Sequence, residues 1–399
     1  MGTWCSTAAP IPEQSLFRSR NAQEENEEGD VDSRMELTLI SEQEYERIGA
    51  GDMSPEMAAQ YLQEGSFRLR SFSEVLRSFY PEGDLQPRLI TSFLDDNGDA
   101  NPETVSRTVR NWLSDRSKPA KREDVFHIAF ALGLSEEQAN RLLGLCTDYS
   151  IHYRDGRDVV YAWFLRHGGS YCEARRFFDS LPPVPDVETD ARRHMHLTHD
   201  LQNAFLQIHS EEELRSCYLA NLEHFGALHL RAYTYFCRYL DKLLHPVPAW
   251  TGMEEEANYS VEAVMDLYFS MHMPSSRSRA GYSVVQRLIK RNWPNATALK
   301  NIRSHKADVP RKLLLLLYVI TENAVDGEYR ETDEDYMSAR DRLDDHWWAI
   351  NAILTDCGMP PLDPRNATDW LVLYAVTAAE ESMSERMEQV IELLFSGDS

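Results

Sequence analysis

Two stretches of the sequence concentrate cationic side chains. From Glu103 to Arg122, six basic residues (Arg107, Arg110, Arg116, Lys118, Lys121 and Arg122) stand against two acidic ones, Glu103 and Asp115. From Ser275 to Lys312, ten basic residues stand against Asp308 alone. Arginine and lysine neutralise phosphates, and Arg and Asn on one helix face can reach base edges in a major groove. In the first stretch Ser106, Arg107, Arg110 and Asn111 fall opposite Val105, Val109 and Trp112, so the helix reads as one buried face and one recognition face. In the second, Arg287, Lys290, Arg291, Lys300, Arg303 and Lys306 supply the charge, and Ser275 to Arg279 reads as an arm laid on phosphates. The competing reading is internal: ten acids face three basic residues between Glu322 and Asp345, and this segment would cover the basic one.

Other groupings point away from chemistry. His194, His196 and His199 form H-x-H-x-x-H, but only the last pair has the helical spacing of metal ligands, so a polar helix face is the expected role. The six cysteines contain no C-x-x-C pair and read as reduced core thiols. Cys146 and Cys357 have no acid–base partner in the sequence and read as packing residues. The run Tyr233 to Leu240 reads as core, and the pair Trp347-Trp348 as part of a helix that packs against its neighbours. There is no Gly-rich phosphate loop, no H-E-x-x-H and no G-x-S-x-G. No catalytic residue, metal or cofactor is expected, and the chain is expected not to be an enzyme.

The elements that must position the basic faces are helical. Apolar residues recur at helical spacing and strand signals are scarce, which predicts an all-α fold. A hydrophobic fraction of 42% fits a globular chain. Ser54-Pro55, Asn101-Pro102 and Ser135 with Gln138 are helix starts, and Gly133 is a helix stop. Residues 1–34 read as a disordered acidic tail, 35–181 as a first helical unit, 182–258 as a helical middle region and 259–399 as a second unit. No signal peptide is read, and the longest apolar run, Leu313 to Ile320, is too short to span a bilayer, so a cytoplasmic chain with no membrane partner is expected. The net charge of −24 repels nucleic acid as a whole, so only local basic surface could bind it.

The two halves echo one another. Asn140, Leu143, Cys146, Arg154 and Asp158 recur 211 residues later as Asn351, Leu354, Cys357, Arg365 and Asp369. Upstream, Thr104, Val109 and Arg110 face Thr297, Ile302 and Arg303, and Lys121-Arg122 faces Arg311-Lys312. This predicts two diverged helix-turn-helix-containing units. Arg154 with Asp158, and Arg365 with Asp369, lie four apart and read as local pairs in which the Asp caps the helix.

Over residues 85–145, TVSRTVRNWLSDRSKPAKREDVFHIAFALGLSEEQANRLL resembles the lambda repressor-like (phage-repressor-type) helix-turn-helix family. A recognition helix ending near Trp112, a basic linker with Pro119 and an acidic-capped helix carry the likeness, with a diverged copy near 282–320. The turn from Leu94 to Pro102 is longer than the family's and adds Asp95, Asp96 and Asp99. The resemblance implies a sequence-specific, DNA-binding transcriptional regulator of bacterial or phage type, with double-stranded DNA as partner and the middle helices left for dimerisation or an effector. The alternative is a helical scaffold or adaptor that uses the same folds to dock proteins.

Overall fold

The computed structural model describes residues 39–96, 101–184, 197–226, 228–246, 258–274, 281–321, 338–379 and 381–396. The tail 1–34, Asp99, His194, His196, the side chain of His199, Ser275–Arg279 and residues 322–337 lie outside them. Every regular element among the described residues is helical. The first half holds α1 (Leu39–Gly49), α2 (Pro55–Gln63), α3 (Phe72–Phe79), α4 (Leu85–Asp96), α5 (Pro102–Leu113), α6 (Arg122–Leu132), α7 (Glu136–Cys146), α8 (Gly156–Arg166) and α9 (Tyr171–Asp179). The second holds α10 (Leu197–Leu206), α11 (Glu211–Ala220), α12 (Leu230–Leu244), α13 (Val261–Val264, continued by a π turn), α14 (Val284–Lys290), α15 (Ala296–Arg303), α16 (Arg311–Thr321), α17 (Ala339–Asp356), α18 (Ala367–Ala375) and α19 (Met383–Phe395). None is long and apolar enough to cross a membrane, among the described residues.

Local sequence sets the helix ends. Ser54, Asn101 and Ser135 cap α2, α5 and α7, the last by a reciprocal box with Gln138. Gly133 ends α6 in the left-handed conformation that a side chain would strain.

The buried side chains form two cores that do not follow chain order. One runs from Phe72 to Phe225, and the other joins α1 and α2 to α12–α19. Thus α1, α2 and the turn after them, grouped by sequence with residues 72–181, bury Tyr45, Ile48, Leu62 and Phe67 in the core of the second half. In return α10 and α11 bury Phe205, Leu214 and Tyr218 in the core of the first. Tyr218 lies so close to Gly156 that a Cβ there would sit 2.7 Å from its ring.

One ion pair on a buried aspartate organises each core. Arg122 binds Asp158 and donates to the carbonyls of Tyr149 (2.9 Å) and Ser150 (2.7 Å). Arg311 binds Asp369 through two bonds (2.6 and 2.9 Å) and donates to the carbonyls of Pro360 and Pro361 (both 2.9 Å). Asp158 also accepts the amide of His152, and Asp369 that of Asp363. Asn140 accepts the amide of Ile151, and Asn351 that of Leu362. The local pairing expected from the four-residue spacing is therefore corrected. The aspartates reach back 36 and 58 residues for their arginines, and the caps of α8 and α18 are Asp155 and Asn366. Arg122 matches Arg311, one register away from the expected match of Lys121 with Arg311.

Arg154 and Arg365, both buried, hold the exchanged hairpins. Arg365 donates Nε to the carbonyl of Arg68 (3.1 Å), and its own carbonyl accepts the amide of Arg70 (3.0 Å). Arg154 donates Nε to the carbonyl of His224 (3.1 Å), and its carbonyl accepts the amide of Gly226 (2.8 Å). The side chains differ. At the first joint Arg70 pairs with Asp363, and Arg365 with Glu74 through two 2.7 Å bonds. At the second, Gly226 and His152 stand where Arg70 and Asp363 stand in the first. The His152 ring stacks on His229 (3.7 Å), which stacks on Tyr149 and bonds Asp308 (2.6 Å).

Removing Arg311 leaves a buried carboxylate without a partner. Arg311→Ala is expected to lose about 3–5 kcal/mol in urea unfolding, whereas Arg311→Met with Asp369→Leu loses far less. Equal losses would contradict this account of the pair. Burial, with His229, Arg154 and Arg122 nearby, holds His152 well below its ordinary range, and His229 is lowered chiefly by burial. A base whose folded pKa lies below its unfolded one contributes stability that is present above about pH 6.5 and lost as pH falls below it. The melting temperature is expected to fall below that pH, and His152→Phe to flatten the fall; an unchanged profile would refute the assignment.

Candidate nucleic-acid interface

Helix α5 starts at Asn101, whose side chain accepts the amides of Glu103 (2.9 Å) and Thr104 (3.3 Å), with Pro102 in the first turn. Val109 and Trp112 are buried as expected, and Trp112 meets Phe93 of α4 edge-on at 5.6 Å. Arg107 and Arg110 are exposed one turn apart, while Ser106 and Asn111 are half-buried. Past the helix, Asp115 takes φ 54° and turns its carboxylate onto Ser73 N (3.0 Å) and Oγ (2.5 Å). That fixes the linker on which Arg116, Lys118 and Lys121 are exposed.

The acidic turn before α5 does not all face outward. Asp96 binds His127 Nε2 (2.7 Å) and accepts from Cys172 Sγ (2.9 Å). His127 is sandwiched between Phe93 and Tyr171, and burial lowers its basicity. Sequence reasoning missed this Asp96–His127–Cys172 group. Its members lie 31 and 76 residues from Asp96, and only the buried position of His127 on the apolar face of α6 hinted at it. Asp95 stays exposed.

The second basic stretch is arranged differently. Arg287, Arg291, Arg303 and Lys306 are exposed, Lys290 bonds the Tyr282 hydroxyl (3.1 Å), and Lys300 pairs with Glu262. Lys312 donates to the carbonyls of Leu288, Ile289 and Arg291 (2.6–3.0 Å) and so closes the end of α14. Burial pushes its pKa down to about 8. Unlike α4 and α5, which pack on each other, α14 lies against α2 and α18, and α15 against α12 and α13. The expected two-helix unit over 282–303 thus has its helices in place but a different packing.

The ends of α5 and α15 nonetheless match. Asn111 O accepts Arg116 N (3.0 Å) and Asn301 O accepts Lys306 N (2.8 Å). Asp115 and His305 are both left-handed, at φ 54° and 56°. Here the displacement is 190, while the caps Asn101 and Asn295 are 194 apart, so α15 is one turn shorter than α5. Arg110 matches Lys300, in place of the sequence match to Arg303. The two stretches come within electrostatic range of each other. Lys118 is exposed along its stem, but desolvation of its ammonium end, set on the Leu145 carbonyl (3.3 Å), holds its pKa below the ordinary value, and Arg291 adds to the effect.

Of the sequence-predicted residues, Arg122 is half-buried and its donors are taken up by Asp158, Thr147 and two carbonyls. The thiols set aside for packing are inert by environment: burial pushes Cys146 up to about 12 and raises Cys357 further. No family model, curated protein or solved structure matches the chain.

Because Arg122 clamps the buried Asp158 and Arg107 is a free surface charge, the two separate on mutation. Arg122→Ala is expected to cost about 3 kcal/mol or more in unfolding, while Arg107→Ala stays within about 0.5 kcal/mol of the parent. Chemical denaturation measures both, and a large loss in Arg107→Ala would remove it from the exposed face.

Proposed function

We propose that the chain is a sequence-specific DNA-binding transcriptional regulator of the bacterial or phage type. One observation carries the reading. Acids outnumber basic residues 65 to 41, and Arg70, Arg141, Arg157, Arg166 and Arg340 have each found a carboxylate. Arg107, Arg110, Arg116, Lys121, Arg287, Arg291, Arg303 and Lys306 have no acidic partner among the described residues, and all eight are exposed. Exposed cations left free in so acidic a chain suit phosphate neutralisation. The carboxylates of Asp96 and Asp115 are engaged by His127 and Ser73 and not by the arginines of α5, which leaves Arg107 and Arg110 free for a ligand. Arg107 and Arg110 take the base-reading role, with Asn111 beside them; Arg116, Lys118, Lys121, Arg287, Arg291, Arg303 and Lys306 take phosphates.

The test is binding of the full chain to genomic fragments, including its own upstream region, at two salt concentrations. Selective binding weakened by salt is expected. Arg116→Ala with Lys121→Ala should lower the salt slope by about two, and Arg107→Ala with Arg110→Ala should relax selectivity. Absence of selective binding at low salt would overturn the reading and leave protein docking as the use of these faces.

A further inference from the structure

The matched bonds impose a symmetry. Let one operation carry the first half onto the second. It carries α2 onto α11 by chain order, because Ser54 and Ser210 cap them 156 apart and residues 68 and 70 follow α2 at the spacing at which 224 and 226 follow α11. It carries Arg154 onto Arg365, 211 apart, so it also carries whatever rests on Arg154 onto whatever rests on Arg365. What rests on Arg154 is α11's segment, and what rests on Arg365 is α2's. The operation therefore takes α2 to α11 and α11 back to α2. Applied twice, it returns α2 to itself. A head-to-tail stacking of repeats never does so; a two-fold rotation does.

The two halves touch where α7 and α17 end. Ser150 N donates to Gly358 O (3.2 Å) there, and a Cβ on Gly144 would touch Pro360. The mirror bond would need an N–H on Pro361, which proline lacks. Lys118 reaches this seam through Leu145 O (3.3 Å), with Arg291 in electrostatic range.

We infer that the chain carries an internal two-fold axis and that its DNA target is an imperfect inverted repeat bound by a single chain, α5 on one half-site and α15 on the other. This rests on the DNA-binding reading. A duplex has a two-fold axis in its sequence only where that sequence is an inverted repeat, so a two-fold protein makes like contacts on both halves only there. The halves are alike but unequal. Asn111 matches Asn301 and Arg110 matches Lys300, but Arg107 matches Thr297, so one half-site is read by an arginine that the other lacks.

The test is selection of duplexes from a random library by the full chain, followed by native mass spectrometry of the chosen duplex. The expected result is an inverted repeat carrying one chain. Arg107→Ala with Arg110→Ala should relax the sequence of one half only, and Lys300→Ala with Arg303→Ala that of the other, each weakening binding about tenfold. All four side chains are exposed, so the variants fold. A direct repeat, a single unsymmetrical motif or two chains per site would overturn the inference while leaving DNA binding standing. No enrichment at all would overturn the DNA reading and this inference with it.

Discussion

A buried carboxylate is costly unless an arginine with its own donors satisfied holds it, and this chain builds that arrangement twice. Arg311 and Asp369 lie inside the second core, with the remaining donors of the arginine on Pro360 and Pro361 carbonyls. Arg122 and Asp158 repeat it in the first, with Tyr149 and Ser150. Because such pairs lose their gain once a partner moves, they hold the segments 149–152 and 360–363 in one geometry. Those segments lead directly into Arg154 and Arg365, which anchor the hairpin of the other half. The exchange of α1–α2 against α10–α11 therefore hangs on two ion pairs, each in the core of one half.

The same clamps set the basic faces. Arg122 is the first residue of α6, so the linker from Ser114 to Lys121 is fixed at its far end by the core and at its near end by Asp115 on Ser73. Its lysines and Arg116 are presented from a short, doubly tethered segment, which reduces the ordering cost of binding. In the other half Lys312 follows Arg311 and closes α14. A residue that sequence counted among the charges thus becomes the means by which its neighbours are positioned.

What was legible in the sequence was local. Caps, stops and the buried face of α5 depend on neighbours within a turn or two, and Asn101, Ser135, Gly133 and Trp112 sit where the pattern put them. The five matches 211 residues apart were legible too, and two of their members, Asn140 and Asp158, make the bonds of Asn351 and Asp369. What was not legible is which distant partner a charge selects. Arg154 and Asp158 are four apart, the spacing of a surface pair, yet both are buried and each has a different neighbour. An apolar helix face states that it will be buried, not in which core, so α1 and α2 read as part of the segment they precede.

The two joints show how a symmetric frame acquires unequal parts. Their backbone bonds are the same, so the exchanged segments enter alike. Their side chains are not: Arg70, Asp363, Glu74 and Arg365 form a connected set of charges, while Gly226, His152 and Leu230 leave Arg154 without a carboxylate and put a stack of rings beside it. A charged network with satisfied geometry holds across the neutral range. A stack that excludes protons holds only while its histidines stay neutral. The first joint is therefore fixed where the second is conditional, and the two exchanged hairpins are not held with equal firmness.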